Sequence, residues 1–155
     1  VTYQSAGTMK EFIVKKKITI KAKPSAVWDA LTNPRKTKKY FFNCEVFSDW
    51  EVGSSIVFRG HIFILKKIEM KGIILQIEPE KLLKYTLQNG DDSEEASNFS
   101  TVTDELTYEN GVTTLIITDD VGQGEGAAKR YTKSVKGWTS VLKGLKKLVE
   151  KESIE

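Results

Sequence analysis

Two tryptophan-marked amphipathic segments stand near opposite ends of this chain and constrain its fold more than any other feature. Val27-Trp28 with Leu31 follows Pro24, and Gly137-Trp138 with Leu142 and Leu145 lies near the C-terminus. The roughly one hundred residues between them alternate and turn as strands and hairpins do. The apolar stripe of the terminal helix is wide enough to cover a concave sheet. The pattern predicts an α+β domain in which a curved antiparallel sheet closes around a long C-terminal helix. Such a sheet can hold either a solid core or an apolar pocket.

The 155 residues suffice for one domain burying about 70% of the surface its unfolded chain exposes. No change of composition divides the chain after residue 10. Residues 1–10 are expected to form a flexible segment, 11–151 the domain and 152–155 a flexible tail. The 24 basic and 21 acidic residues leave a formal charge of +3, too small a surplus to indicate nucleic acid, which needs a clustered basic footprint. Cys44 is the single cysteine and has no internal disulfide partner. No apolar run approaches the roughly 18 residues of a membrane span, and the start does not resemble a secretion signal. A reduced, cytoplasmic protein without integral membrane association is expected.

Phe12, Val14, Ile18 and Ile20 share one parity in a first strand, interrupted by Lys16, which suits a sheet edge or a curved part of the sheet. Pro24 then starts a helix with Val27, Ala30 and Leu31 inward, and Asn33-Pro34 ends it. Arg35 to Tyr40 can form a second short helix. Extended candidates follow at Cys44 to Trp50, Ser55 to Arg59, Ile62 to Met70, Gly72 to Ile77, Leu82 to Leu87, Asn98 to Glu109 and Val112 to Thr118. Asn110-Gly111 is a tight-hairpin signal. No crossover helices separate these strands, which argues against a parallel nucleotide-binding sheet.

Gly90 to Glu95 and Asp119 to Gly126 read as polar loops, the second with glycines that would give flexibility at a cavity rim. A helix from about Ala127 to Glu150 carries Val135, Trp138, Leu142, Leu145 and Val149 at helical spacing, with lysines over much of its remaining surface. Gly137, unfavourable in a helix by roughly 1 kcal/mol, suggests close packing at that point.

The segment from Ala22 to Leu31, the Val52-Gly53-Ser54 turn followed by Ile56 and Phe58, the Gly72-Ile73-Ile74 strand with Glu78-Pro79, the Thr114-Leu115 strand and the segment from Gly137 to Leu145 together resemble the bacterial relatives of the C-terminal domain of the Hsp90 ATPase activator. That family lies in the START-like, or birch-pollen-allergen-like, helix-grip superfamily (SRPBCC). The resemblance covers about residues 12 to 150. It implies a strand, two short helices, six more strands and a long helix gripped by the sheet. Tyr40-Phe41 stands where the family usually has tryptophan-phenylalanine, and Ser54 where it often has glycine. Superfamily members line their interiors differently and include lipid binders and polyketide cyclases, so the scaffold alone assigns no function.

The aromatic side chains of Phe41, Trp50, Phe58, Phe63, Tyr85, Tyr131 and Trp138 are candidate walls of a ligand cavity, with the tyrosine hydroxyls, His61 and Thr101 as candidate polar anchors. Each also fits an ordinary core or rim position. His61 is the sole histidine and follows Gly60 without an identifiable Ser, Cys or acid partner, so no catalytic residue is assigned. No histidine or cysteine pair has metal-ligand spacing, and neither Asp91-Asp92 with Glu94-Glu95 nor Asp119-Asp120 with Glu125 follows the calcium-loop pattern. Neither a metal nor a cofactor is expected.

The favoured reading is a binding protein for a small hydrophobic or lipid-like ligand, held between the sheet and the C-terminal helix. A chaperone-associated interaction domain is the alternative that the resemblance implies, and a polyketide-cyclase-like enzyme is a further one. The expected partners are a small hydrophobic ligand or a protein, not nucleic acid, with the chain a monomer or weak homodimer.

Overall fold

The computed structural model describes residues 12–62, 66–89 and 99–154. Strand β1 (Ile13–Ile20) precedes two short helices, α1 (Pro24–Thr32) and α2 (Pro34–Tyr40). Six strands follow: β2 (Cys44–Ser48), β3 (Ser55–Ile62), β4 (Lys66–Glu78), β5 (Leu82–Asn89), β6 (Ser100–Glu109) and β7 (Val112–Asp120). Helix α3 (Ala127–Ser153) ends the fold. The strands make one antiparallel sheet in the order β1-β7-β6-β5-β4-β3-β2. β1 and β2 are therefore its two edges, and α1 and α2 carry the chain from one to the other. This is the helix-grip arrangement, with α3 seated on the inner face.

The sequence divides the third and fourth strands into three pieces, whereas the structure has two. β3 runs on through His61 and Ile62, and β4 passes through Gly72 without a break. A Cβ at Gly72 would coincide with the Thr86 carbonyl, so glycine here permits close approach of β5 and does not mark a turn. Beside it the Ile73 N–H donates to Thr86 Oγ1 (2.9 Å), and the register shifts between Ile74 and Gln76. Such a bulge bends a strand and increases its twist, which helps curve the sheet. At the β6–β7 hairpin, Asn110 and Gly111 have φ of 52° and 81°, the paired positive values that a two-residue type I′ turn requires.

Alternation sets the inner face. Val102, Asp104 and Leu106 on β6, and Thr113, Leu115, Ile117 and Asp119 on β7, are all buried. The sequence places Asp119 in a solvated loop. In the structure β7 continues to Asp120 and Asp119 is only 5% exposed. From α3, Trp138, Val141, Leu142, Leu145 and Val149 pack onto this face. Helix α3 also passes its expected end at Glu150: Lys36 of α2 bridges Asp29 of α1 (2.6 Å) and Glu152 of α3 (3.0 Å). These partly exposed ion pairs are worth about 0–1 kcal/mol each.

Helical side chains also meet both sheet edges. On β2 the Val46 N–H donates to Thr37 Oγ1 of α2 (3.1 Å). At the other edge, Lys146 Nζ donates to the Thr19 carbonyl of β1 (2.6 Å), and the Lys21 N–H donates to Glu150 Oε2 (2.8 Å). The loop before α3 is pinned rather than free. Arg130 donates to the carbonyls of Val121 (3.1 Å), Glu125 (3.0 Å) and Gln123 (3.4 Å), so the glycines there serve a fixed turn.

The two interior glycines of α3 differ in what they face. A Cβ at Gly144 would lie 2.9 Å from Tyr40 Cβ and 3.5 Å from its Cα, so α2 itself would have to move. A Cβ at Gly137 would meet only the ring tip of half-exposed Phe42, at an ordinary 3.4 Å. The close packing inferred at Gly137 therefore belongs to Gly144. Gly137→Ala is expected to stabilise by about 0.5–1 kcal/mol through helix propensity. Gly144→Ala is expected to lose about 1–3 kcal/mol through overpacking, less that same gain. Urea unfolding midpoints of the two variants should move in opposite directions.

Candidate functional site

Where α2 gives way to β2, Phe41 turns into the space between the sheet and α3. Its ring stacks on Phe58 of β3 (centroids 4.7 Å apart, planes at 20°) and meets Trp138 of α3 edge-on at 5.8 Å. Phe58 lies 6.0 Å from Tyr85 of β5. These rings, with Leu31, Tyr40, Ile117, Val141 and other side chains, enclose a cavity of about 20 Å³. That is room for one water-sized group. Only Leu31 and Tyr40 among the lining residues are partly exposed, so they form its outer wall between α1 and α2.

The lining contains one charged residue, Asp104, which is 3% exposed. Its Oδ1 has no hydrogen-bond partner among the described residues, which costs a buried acceptor about 1–3 kcal/mol. Asp119 lies one step diagonally across the β6–β7 ladder, since Asp104 pairs with Ile117 and Val102 with Asp119. Asp119 is better satisfied. Its Oδ2 accepts from Ser134 Oγ (2.5 Å) and Trp138 Nε1 (2.8 Å), although its Oδ1 also lacks a partner among the described residues.

Burial, and then the charge of Asp119, push the Asp104 carboxyl up to about 7. Two phenols face this pair. Burial and then Asp104 hold Tyr40 far above the ordinary tyrosine value, and its hydroxyl donates to the Ala30 carbonyl (2.7 Å). Tyr85 is held high by burial first, then by Asp104, Asp119 and Tyr40. Both phenols therefore remain neutral donors. The arrangement can hold an apolar group and offer it a buried acceptor.

Of the residues expected from the sequence, Phe41, Phe58, Tyr85 and Trp138 converge on the cavity. None of the other described ones lines it. Trp50, with φ of 58°, lies in an open groove beside Pro34, Val46 and Phe47. His61 is exposed on the outer parity of β3. Thr101 has the outward parity of β6, opposite Thr86 and Asp120. Tyr131 packs edge-on against Phe12 with centroids 6.1 Å apart. Phe63 lies outside the described residues. Cys44 is buried, and burial pushes its thiol up. No cluster of three or more His, Cys, Asp or Glu suited to a metal occurs among the described residues, and no described helix is long and apolar enough to cross a membrane.

The sequence reading missed Asp104, Asp119, Thr37 and Tyr40. A signal existed for the two acids: each shares the inward parity of its strand, Asp104 with Val102 and Leu106, and Asp119 with Leu115 and Ile117.

A long helix held by a curved antiparallel sheet, with a small interior cavity between them, defines a START-like helix-grip protein. Residues 21–150 match the model of the activator of Hsp90 ATPase homolog 1-like protein family. The chain belongs to that family. It is similar to ChR145 of Cytophaga hutchinsonii, with 33% identity over 95% of this chain and 100% of that one, at a TM-score of 0.75. CV1439 of Chromobacterium violaceum shares the fold at 23% identity, covering 89% of this chain and 96% of that one, with a TM-score of 0.73. So does the Aha1 of Colwellia psychrerythraea, solved as a dimer, at 22% identity over 89% and 96% of the two chains and a TM-score of 0.63. Comparison with curated protein sequences yields no match.

The elevated carboxyl predicts a distinctive pH dependence. Because folding raises the Asp104 value from 3.8 to about 7, its contribution to stability is fully present below the unfolded value and is lost as pH rises through the folded one. The loss is at most on the order of 4 kcal/mol. Asp104→Asn keeps the volume and removes the titration. Thermal unfolding from about pH 4 to about pH 8 should show the wild type losing stability relative to this variant as pH rises.

Proposed function

We propose that this protein binds a small, largely apolar molecule between its sheet and α3. The observation that carries the reading is the cavity at the centre of the grip, lined by five aromatic rings and one incompletely satisfied carboxyl. A core selected for stability alone favours apolar side chains of similar volume at such a position. An acceptor kept there at a cost suits a site that must orient something.

A ligand larger than one water-sized group must enlarge the 20 Å³ space. Leu31 and Tyr40 are the natural gate, because they alone of the lining reach the surface and because Tyr40 is tethered there by one hydrogen bond to Ala30. The loop before α3, held by Arg130, is a poorer entrance. Binding then exchanges the packing of Leu31 and Tyr40 against α1 and α2 for contact with the ligand.

A protein-interaction role is the second reading. It is favoured by Phe47, Ile73 and Leu75, exposed on the outer face of β2 and β4, and by membership of a family named for a chaperone activator. Native mass spectrometry of gently purified protein separates the two. A reproducible, stoichiometric small molecule is expected, or uptake of one from a mixed hydrophobic library. Protein that carries none and takes up none would move the assignment to the outer face.

A further inference from the structure

The polar inventory of the cavity is one-sided. Among its lining residues there is no Lys, Arg or His, and the single charged group is Asp104. The charge of a second acid, Asp119, acts on Asp104, while Tyr40 and Tyr85 stay neutral. Most donors in the wall are already engaged: Thr37 with the Pro34 carbonyl (3.2 Å), Tyr40 with Ala30 (2.7 Å) and Trp138 with Asp119 (2.8 Å). The remaining one, Tyr85, leaves Asp104 Oδ1 without a partner among the described residues. With its value raised to about 7, Asp104 is partly ionised at neutral pH; a cationic donor favours that ionised form, whereas a carboxylate would add a like charge beside it.

The rings narrow the choice further. Phe41, Phe58 and Tyr85 stand in sequence across the cavity at centroid separations of 4.7 and 6.0 Å, with Trp138 edge-on to the first at 5.8 Å. Aromatic faces attract cations where water is excluded, but Phe41 and Phe58 already cover each other's facing sides, so the carboxyl supplies the pairing and the rings chiefly a dry wall around it. A carboxyl among aromatic walls is an environment for an ammonium group, whose size also suits the space better than a planar carboxylate does.

We infer that the ligand is an apolar amine whose cationic nitrogen pairs with Asp104 within the rings of Phe41, Phe58 and Tyr85. This rests on the cavity reading above and specifies its ligand class. Fatty acids and other carboxylate-headed lipids are correspondingly rejected. Asp119, anchored by Ser134 and Trp138, adds negative potential and disfavours any anionic head. The ion pair forms without bond rearrangement, by transfer of the ammonium from water to the cavity.

The test uses 2-phenylethylamine, 2-phenylethanol and phenylacetate as probes of one body and three heads, titrated into the full chain and followed by protein NMR at neutral pH. The amine is expected to bind about tenfold or more tightly than the carboxylate, as removing one partner of a buried charge pair commonly costs that much or more. Its methylene protons should show contacts to the rings of Phe41 and Tyr85. Asp104→Asn should lose most of the amine preference while retaining the alcohol. Equal binding of the three heads by the wild type, ring contacts elsewhere, or a preference unchanged in Asp104→Asn overturns the amine assignment and leaves the cavity reading intact. Failure of all three probes, together with no uptake from the hydrophobic library, overturns both. The wild-type discrimination and ring contacts decide the matter even if the variant does not fold.

Discussion

Burial of an apolar helix face against a sheet is strong but indifferent to direction, since a small rotation of the helix conceals nearly the same area. In this protein the hydrogen bonds from Ser134 and Trp138 to Asp119 remove that freedom. They join α3 to the inner face of β7 at one rotation and one axial position, and a charge-assisted bond loses more energy on distortion than a neutral one. The rest of the interior refers to this point. Phe41 lies edge-on to the indole so fixed, Phe58 stacks on Phe41, and Tyr85 follows Phe58. Further along α3, the approach of Tyr40 to Gly144 sets the distance between α2 and the same helix.

The architecture was legible because its elements carry strong periodic signals. β1 alternates, α1 opens on Pro24, and α3 keeps its stripe from Trp138 to Val149. The errors arose where one residue type has two physical uses. Gly72 resembles a strand end, yet it admits the Thr86 backbone within a continuous β4. Asp119-Asp120 resembles a loop start, yet only Asp120 faces outward. Gly137 and Gly144 look alike along the helix, and only the fold reveals which one touches Tyr40.

The interior was legible in its apolar half. Phe41, Phe58, Tyr85 and Trp138 are aromatic residues on elements that must face one another, so their convergence follows from the topology. The acids were not expected, because composition treats aspartate as surface and only its parity on β6 and β7 says otherwise. Nor could pattern reading place His61, Thr101 or Tyr131, whose orientation depends on strand register and on where α3 begins. The result is an interior packed around two buried acids, of which Asp104 is the less satisfied. Local departures from the most stable arrangement are concentrated where a fold has a task besides folding.

The treatment of the sheet edges bears on how the molecule behaves in company. An open sheet offers two rows of backbone groups to any extended chain it meets. Here Thr37 occupies one row at Val46, and Lys146 and Glu150 occupy positions along the other at Thr19 and Lys21. β1 adds Lys15, Lys16 and Lys17 in succession, a run of like charge that a second β1 would have to approach. Strand-to-strand growth is thus opposed at both margins. Among the described elements, the faces of the sheet and the helices are thus better placed than the strand edges to meet a second copy, and edge-seeded fibrous growth is disfavoured.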